Sequence, residues 1–398
     1  MLDARILYVA YLREGANTVG YLNKIIGQCH AFVKEISHVY ICVSRKNEAV
    51  LYRVAVDKLE QITTFPYSCF ATYQEQGRNG KLRGYLRYIS FIKFVSKVLQ
   101  DFGIDVLYFR SSYPTTMFRR LLRKTASSKF VEIVTYPYKT EWKRIMPRFE
   151  YLFWKSGQEK VEKLSDIVVA ISGEKDLHLS EKFILINNGI DLENIRVKKH
   201  TQRDYLSVVS IANLCMWHGY DRIIRGMSDY YKNGSVKKVI YNCVGDGPEL
   251  ENLKELTKSL GLDKYVIFHG TKTGEELDKI FDESDVALGS LGNHRKGLNS
   301  DSALKNREYC ARGIPFVIAS SDQDFPESFP YILKIPSDES PVDINEIVEW
   351  YEKLTHSHPN YSTEMRKYAE EHLSWDAKMK PVIEKIKEIA EEKGKSRS

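Results

Sequence analysis

Residues His294–Pro315 read HRKGLNSDSALKNREYCARGIP, and the run before them, DVALGSLG (Asp285–Gly292), reads as a buried strand. The stretch opens as a basic loop with Gly and Ser. It then becomes a helix that stops at Gly313–Ile314–Pro315. Strand, loop and helix N-terminus in that order make an anion site, because free backbone N–H groups and the helix dipole favour a phosphate there. Ser300, Asp301 and Ser302 are good N-cap types, which predicts a helix start near Ser302. Glu308 lies further in, roughly 9 Å along the axis. That is about the span from a bound diphosphate to the sugar hydroxyls of a nucleotide, and a carboxylate there can accept two hydroxyl hydrogen bonds. The alternative is an amphipathic helix in which Glu308 pairs with Lys305 or Arg312, at i−3 and i+4.

Outward from this stretch the chain alternates strands and helices. Upstream, LSVVSIA (Leu206–Ala212), KKVIYNCVG and YVIFHG (Tyr265–Gly270) read as strands, with helices between them. Downstream, PFVIAS and YILKI are strands, and helices over Ile344–Leu354, Ser362–His372 and Ala377–Glu392 finish the chain. The first half has the same rhythm. RILYVAY (Arg5–Tyr11) feeds the loop LREGANTVG and a helix to about Glu35, then the strand HVYICVS (His38–Ser44). The loop lacks the G-x-G-x-x-G spacing of dinucleotide folds. Residues 50–66 read as a short excursion with strands, and Tyr67–Gly84 as a mobile basic loop. The polar stretch Asp191–Arg203 is the best linker candidate. The pattern predicts two parallel-sheet α/β domains in tandem with a helical tail.

At 398 residues the chain suits two domains. The net charge of +6 hides an asymmetry: residues 1–199 hold 32 Lys and Arg against 20 Asp and Glu, whereas residues 200–398 hold 27 against 33. A basic first half points to an anionic partner or, alternatively, to a solvated lysine-rich surface. The six cysteines form no C-x-x-C pair and read as reduced thiols of a cytosolic protein. The N-terminal apolar run is too short for a signal peptide, and no window is long and apolar enough to span a bilayer.

The second half resembles the GT-B glycosyltransferases, in particular their retaining family 4, or group 1. The residues that carry the resemblance are GDGPE (Gly245–Glu249), LGL (Leu260–Leu262), FHG (Phe268–Gly270) and EYCARGIP (Glu308–Pro315), in that order. The first half is similar to the acceptor domain of bacterial surface-polysaccharide glycosyltransferases, through GYLNKIIGQCHAF, EIVTYPY and INNGID; WHGYDR in the second half is similar too. The resemblance implies two Rossmann-like parallel-sheet domains facing a cleft, with a C-terminal helix crossing back. The acceptor domain would cover residues 1–195, the nucleotide-sugar domain 204–373 and the returning helix 374–398.

Carried over by residue, the resemblance makes Glu308 the ribose-binding glutamate and gives the amides of Asp301, Ser302 and Ala303 to the diphosphate. Gly270 and Thr271 would line the base. Gly245 and Gly247 would let the backbone approach the nucleotide. Three departures stand out. The first glutamate of the paired motif is Ser300, with Asp301 beside it. The basic pair after the first strand of this domain aligns with Asn213 and His218–Gly219. The histidine often found on the acceptor side aligns with Tyr136. Arg295, Lys296 and Lys305 are the replacement cations, Lys305 alternatively being a partner of Glu308 and Arg295 a solvated charge. His218 is a phosphate ligand or a loop residue packed beside Trp217. Asp246 shapes its turn or touches substrate. On the acceptor side, Asn17, Gly20, Glu132 and Tyr136 are candidates, with a capped strand end as the alternative for the last two.

Transfer from a nucleotide-sugar needs a stabilised diphosphate leaving group, which N–H groups, a helix N-terminus and Arg or Lys supply. No Asp-x-Asp pair is read as a metal ligand set, so no metal and no cofactor are expected. The expected function is a metal-independent, retaining transfer, from a UDP-sugar by preference, to a lipid-linked glycan in bacterial polysaccharide synthesis. Basic stretches with interleaved aromatics, Leu82–Lys97, Phe118–Lys124 and Trp142–Lys155, fit an anionic membrane surface or, alternatively, core-packed helices with basic outer faces. The protein would then be cytoplasmic and peripheral on the inner face of the membrane. No nucleic-acid fold motif accompanies the charge, so no nucleic acid is expected. The rivals are a catalytically degenerate GT-B subunit that binds a partner transferase or glycan, and a sugar-nucleotide epimerase of the same fold.

Overall fold

Apolar runs such as RILYVAY are buried on both faces, as strands of a parallel sheet covered by helices must be. In the computed structural model the described residues are 1–12, 18–55, 58–67, 80–134, 136–138, 147–172, 180–201, 203–235 and 237–395. They form two units, Met1–Gly189 with Trp375–Ser398, and Ile190–Ser374.

The first unit runs β1 (Leu2–Ala10), α1 (Thr18–Glu35), β2 (Ile36–Ser44), β3 (Glu48–Val54), β4 (Leu59–Pro66), α2 (Gly80–Asp101), β5 (Val106–Arg110), α3 (Thr116–Lys124), β6 (Ser128–Ile133), α4 (Arg148–Leu164), β7 (Ile167–Ile171) and β8 (Phe183–Ile186). The sheet order is β4-β3-β2-β1-β5-β6-β7-β8, with every pairing parallel except β2–β3 and β3–β4 at one edge, where β3 alone runs the other way. Alternate residues of β1 serve opposite faces. Ile6 and Tyr8 pack with Ile25, Cys29 and Phe32 of α1. Leu7 and Val9 pack with Phe91 and Val95 of α2 and Phe118 of α3.

The second unit runs β9 (Leu206–Ile211), α5 (Tyr220–Lys232), β10 (Val239–Val244), α6 (Leu250–Ser259), β11 (Val266–Gly270), α7 (Gly274–Asp282), β12 (Val286–Leu288), α8 (Leu304–Arg312), β13 (Phe316–Ile318), β14 (Ile332–Lys334), α9 (Ile344–Ser357) and α10 (Tyr361–Tyr368). Its six-stranded sheet has the order β11-β10-β9-β12-β13-β14 and is parallel throughout. The last helix, α11 (Trp375–Lys395), belongs to the first unit. Its Trp375, Met379, Val382 and Ile386 join the core against α1.

Three boundaries differ from the sequence expectation. The presumed linker Asp191–Arg203 is folded onto the second unit. Arg196 binds Asp282 at 2.7 and 2.8 Å and Asp278 at 3.1 Å, and Arg366 donates to the carbonyls of Leu192 and Ile195. α2 begins at Gly80, within the stretch expected to be loop, whose residues 68–79 lie outside the described residues. α8 begins at Leu304, because Ala303 before it is extended, with φ −72° and ψ 128°; the Ser302 amide is taken by the Asp301 side chain.

Candidate functional site

In the second sheet, β10 and β11 build outward from one side of β9, and β12 to β14 from the other. The strand order therefore reverses between β9 and β12, where open α/β sheets bind ligands outside the carboxyl ends. The loops after these two strands meet there. Leu291 N–H donates to His218 O at 2.8 Å. Gly219 has φ 64° and lies so close that a Cβ would stand 2.7 Å from Gly292 N. The turn after β10 packs under the same loops. Gly245 has φ 125°, and a Cβ there would meet Ala212 O at 1.8 Å. The close approach that Gly245 and Gly247 permit is thus to the chain's own backbone at Ala212 and Leu214, not to an open ligand face. The Asp246 carboxylate accepts from Gly247 N–H at 2.7 Å, so it shapes this turn. Gly270 accepts from Gly245 N–H and has open space where a Cβ would lie, with exposed Thr271 beside it.

The loop before α8 spends two of the three expected amides internally. Asp301 N–H donates to Ser321 O, and Ser302 N–H to Asp301 Oδ1. Among the described residues, the amides of Ala303, Leu304 and Lys305 have no intramolecular acceptor, as a helix first turn requires. Arg307, fully buried, fixes this end by donating to Ala303 O and Ser302 Oγ. Asp322 and Asp324 have Asp-x-Asp spacing, but both carboxylates bind Arg307. One turn along, Glu308 Oε1 accepts from Arg312 Nε at 2.9 Å, the i+4 partner, and Arg312 also reaches Asp278 at 2.7 Å. Glu308 Oε2 makes no hydrogen bond to the described residues.

The cations divide into two kinds. Arg295 is closed off: its guanidinium binds Asp221 at 2.8 and 2.9 Å, Glu339 at 2.6 and 2.9 Å and Met216 O at 2.8 Å. That leaves it a brace between loops, not a spare positive charge. Lys305 makes no carboxylate ion pair among the described residues. It donates to Tyr220 Oη at 3.2 Å, and burial pushes its ammonium down to about 7. His218 Nδ1 accepts from Cys215 N–H at 3.1 Å, which leaves the ring proton on Nε2. Burial, with Lys305 and Lys296 adding repulsion, pushes His218 down to about 3, so it is a neutral donor at physiological pH.

On the acceptor side, Glu132 is not at an open strand end. It is fully buried, and its Oε2 accepts from Gln28 at 2.7 Å, Tyr108 at 2.8 Å and Tyr8 at 3.3 Å, with Arg110 at 3.9 Å from Oε1. Tyr136 packs against Tyr138 and Phe183. Gly20 falls in the first turn of α1, and Asn17 lies outside the described residues. The sequence reading missed Arg307, Tyr220, Asp221 and Glu339. A signal for Arg307 was present: it stands three, four and seven residues before Cys310, Ala311 and Ile314, on the buried stripe of its helix.

Two such α/β units, the second with free helix amides at its strand-order reversal, have the GT-B fold of glycosyltransferases. The more particular similarity concerns that second unit: residues 191–370 match the family model of the glycosyl transferases group 1. Solved structures match along the whole chain. A glycosyltransferase from Rickettsia africae has a TM-score of 0.64 at 12% identity, covering 98% of this chain and 99% of that one. HepE from Anabaena in complex with UDP has 0.62 at 12%, over 96% and 100%. The sucrose-phosphate synthase of Thermosynechococcus elongatus has 0.62 at 12%, over 99% and 100%. No curated protein matches the chain by sequence.

Proposed function

We propose that this enzyme moves a sugar from a nucleotide diphosphate sugar, a UDP-sugar by preference, to a lipid-linked glycan, with retention and without a metal. The observation that carries the reading is the convergence at one strand-order reversal of free helix amides, Lys305 without a carboxylate and Glu308 with one free oxygen. Glu308 Oε2 would accept from the ribose. The amides of Ala303 to Lys305, the Lys305 ammonium and His218 Nε2–H would hold the diphosphate. As the bond from the sugar carbon to the phosphate oxygen breaks, charge grows on the leaving phosphate, and these fixed donors stabilise it. The acceptor hydroxyl attacks from the same face, and its proton passes to a phosphate oxygen.

UDP is favoured because HepE, which shares the fold, is in complex with UDP, with UDP and glucose, and with UDP-glucose. A lipid-linked acceptor draws support from WaaB, a lipopolysaccharide outer core galactosyltransferase, and WaaG, involved in lipopolysaccharide biosynthesis, at TM-scores of 0.57 and 0.55. Peripheral attachment to the cytoplasmic face of a membrane draws on exposed Leu86 and Leu152 and on the four cations of α3. No helix among the described residues is long and apolar enough to cross a bilayer.

A thermal-shift panel of nucleoside diphosphates and their sugars tests the donor. A ligand at 100 times its Kd adds about 2.7 kcal/mol of stability, an easily seen shift. No shift with any of them would sink the proposal. The locked state of Arg295 favours a second reading, a catalytically degenerate subunit that binds a partner transferase or glycan. Hydrolysis or transfer of labelled donor by the isolated chain excludes that reading.

A further inference from the structure

Among the described residues, two lysines at the head of the second sheet meet aromatic side chains and no carboxylate. Lys296 Nζ lies 5.0 Å from the Trp217 ring centroid, and Lys305 Nζ lies 5.6 Å from that of Tyr220. Trp217 lies between β9 and α5, and Tyr220 is the first residue of α5. Tyr220 is 2% exposed, so it does not wander. His218 stacks on its ring at 5.5 Å and 16°, and its edge meets Tyr241 at 6.3 Å. Its backbone is set by Gly219, which rests on Gly292.

We propose that Tyr220 is a positioning residue for the donor's diphosphate, acting through Lys305. The inference rests on the donor-site reading above. A lysine ends in a compact charge on a flexible four-carbon stem, and an ammonium fixed before the ligand arrives binds more tightly than one that must be ordered. Tyr220 supplies the oxygen that accepts its hydrogen bond. It stands where the family's usual basic pair is replaced by Asn213 and His218.

The groups facing Lys305 are Asp301 and Lys296 from the loop after β12, Cys215 and His218 from the loop after β9, Cys243 from β10 and Tyr220 from α5. Burial outweighs the attraction of Asp301, so the ammonium titrates at about 7 when no anion is near. A diphosphate favours the charged form and raises that value, so binding takes up a proton. Affinity is therefore full at low pH and falls as pH rises above the ligand-free value, by up to about tenfold per unit. The Tyr220 hydroxyl accepts from the charged form and favours it. Its removal moves this falling limb to lower pH.

The experiment measures UDP affinity calorimetrically from about pH 6 to 9, a range that spans the lysine titration. The proteins are the full-length chain, Tyr220→Phe, Tyr220→Leu, Lys305→Met and the Tyr220→Leu, Lys305→Met double variant. Tyr220→Phe is expected to shift the limb to lower pH, and Tyr220→Leu to weaken UDP about tenfold at neutral pH. Lys305→Met removes the limb, and adding Tyr220→Leu to it weakens binding no further. An unmoved limb in Tyr220→Phe, or additive losses in the double variant, overturns the assignment. Tyr220→Phe keeps the buried ring, so its result decides even if Tyr220→Leu fails to fold. If the unaltered chain binds no nucleoside diphosphate, the donor reading itself fails; if it binds and the Tyr220 variants match it at every pH, only the role of Tyr220 fails.

Discussion

Glu308 has one carboxylate oxygen tied to Arg312 and one free. Both alternatives read from the sequence, an i+4 pair and a hydroxyl acceptor, therefore coexist in one side chain. Glu308→Ala should weaken UDP by roughly 10- to 100-fold, the worth of a charged hydrogen bond, while leaving the melting temperature nearly unchanged because Arg312 keeps Asp278. Calorimetry and a melt on the same sample check both halves. Arg295→Ala has the opposite expectation. Its guanidinium is committed to Asp221 and Glu339, so the urea midpoint should fall while UDP affinity holds. A collapse in UDP affinity would show that Arg295 does reach phosphate. The sequence could not reveal this commitment, since those carboxylates lie 74 and 44 residues away along the chain. Glu308 and Lys305 could be read because they share one short helix with its start and stop signals. Which of the loop amides stay free could not be read, since the Asp301 side chain caps its own neighbour.

At the scale of elements, the strands were readable because a sheet covered on both faces makes each strand a continuous apolar run. Their order was not, since a parallel ladder carries no mark of which neighbour it pairs with. Glu132 shows the same limit. It stands in the apolar run of β6, two residues after Phe130 and on the same face, which signals a buried acid and not an open strand end. It ties β1, β5, β6 and α1 together through Tyr8, Tyr108 and Gln28. Glu132→Ala should cost about 3–5 kcal/mol, because Arg110 and the three donors lose their shared acceptor. Denaturant unfolding of the first unit checks this; lost transfer at unchanged stability would instead make Glu132 an acceptor contact. In the second unit, Gly245→Ala should cost about 2–4 kcal/mol, because its Cβ would strike Ala212 O and its backbone would be strained. A urea midpoint equal to that of the parent chain would refute the packing described for that turn.

At the scale of the whole molecule, the family match covers residues 191–370, and the first unit is recognisable chiefly by its fold. That is the expected asymmetry if the donor is shared among relatives while acceptors differ. A chain ending at Ser374 should lose the first unit's melting transition, since Trp375, Met379, Val382 and Ile386 complete that core, yet UDP should still stabilise the second unit. Two-step calorimetry distinguishes this from uniform destabilisation. The placement of α11 also sets an order of events on the ribosome. The first unit is encoded first but lacks one wall of its core until the final helix emerges. Residues 190–374 must be synthesised in between, which takes roughly 10–40 s at about 5–20 residues per second. The second unit therefore finishes folding first, and the complete sheet of the first waits for the last helix with its α1 side uncovered. During that interval a holdase chaperone has an apolar surface to grip.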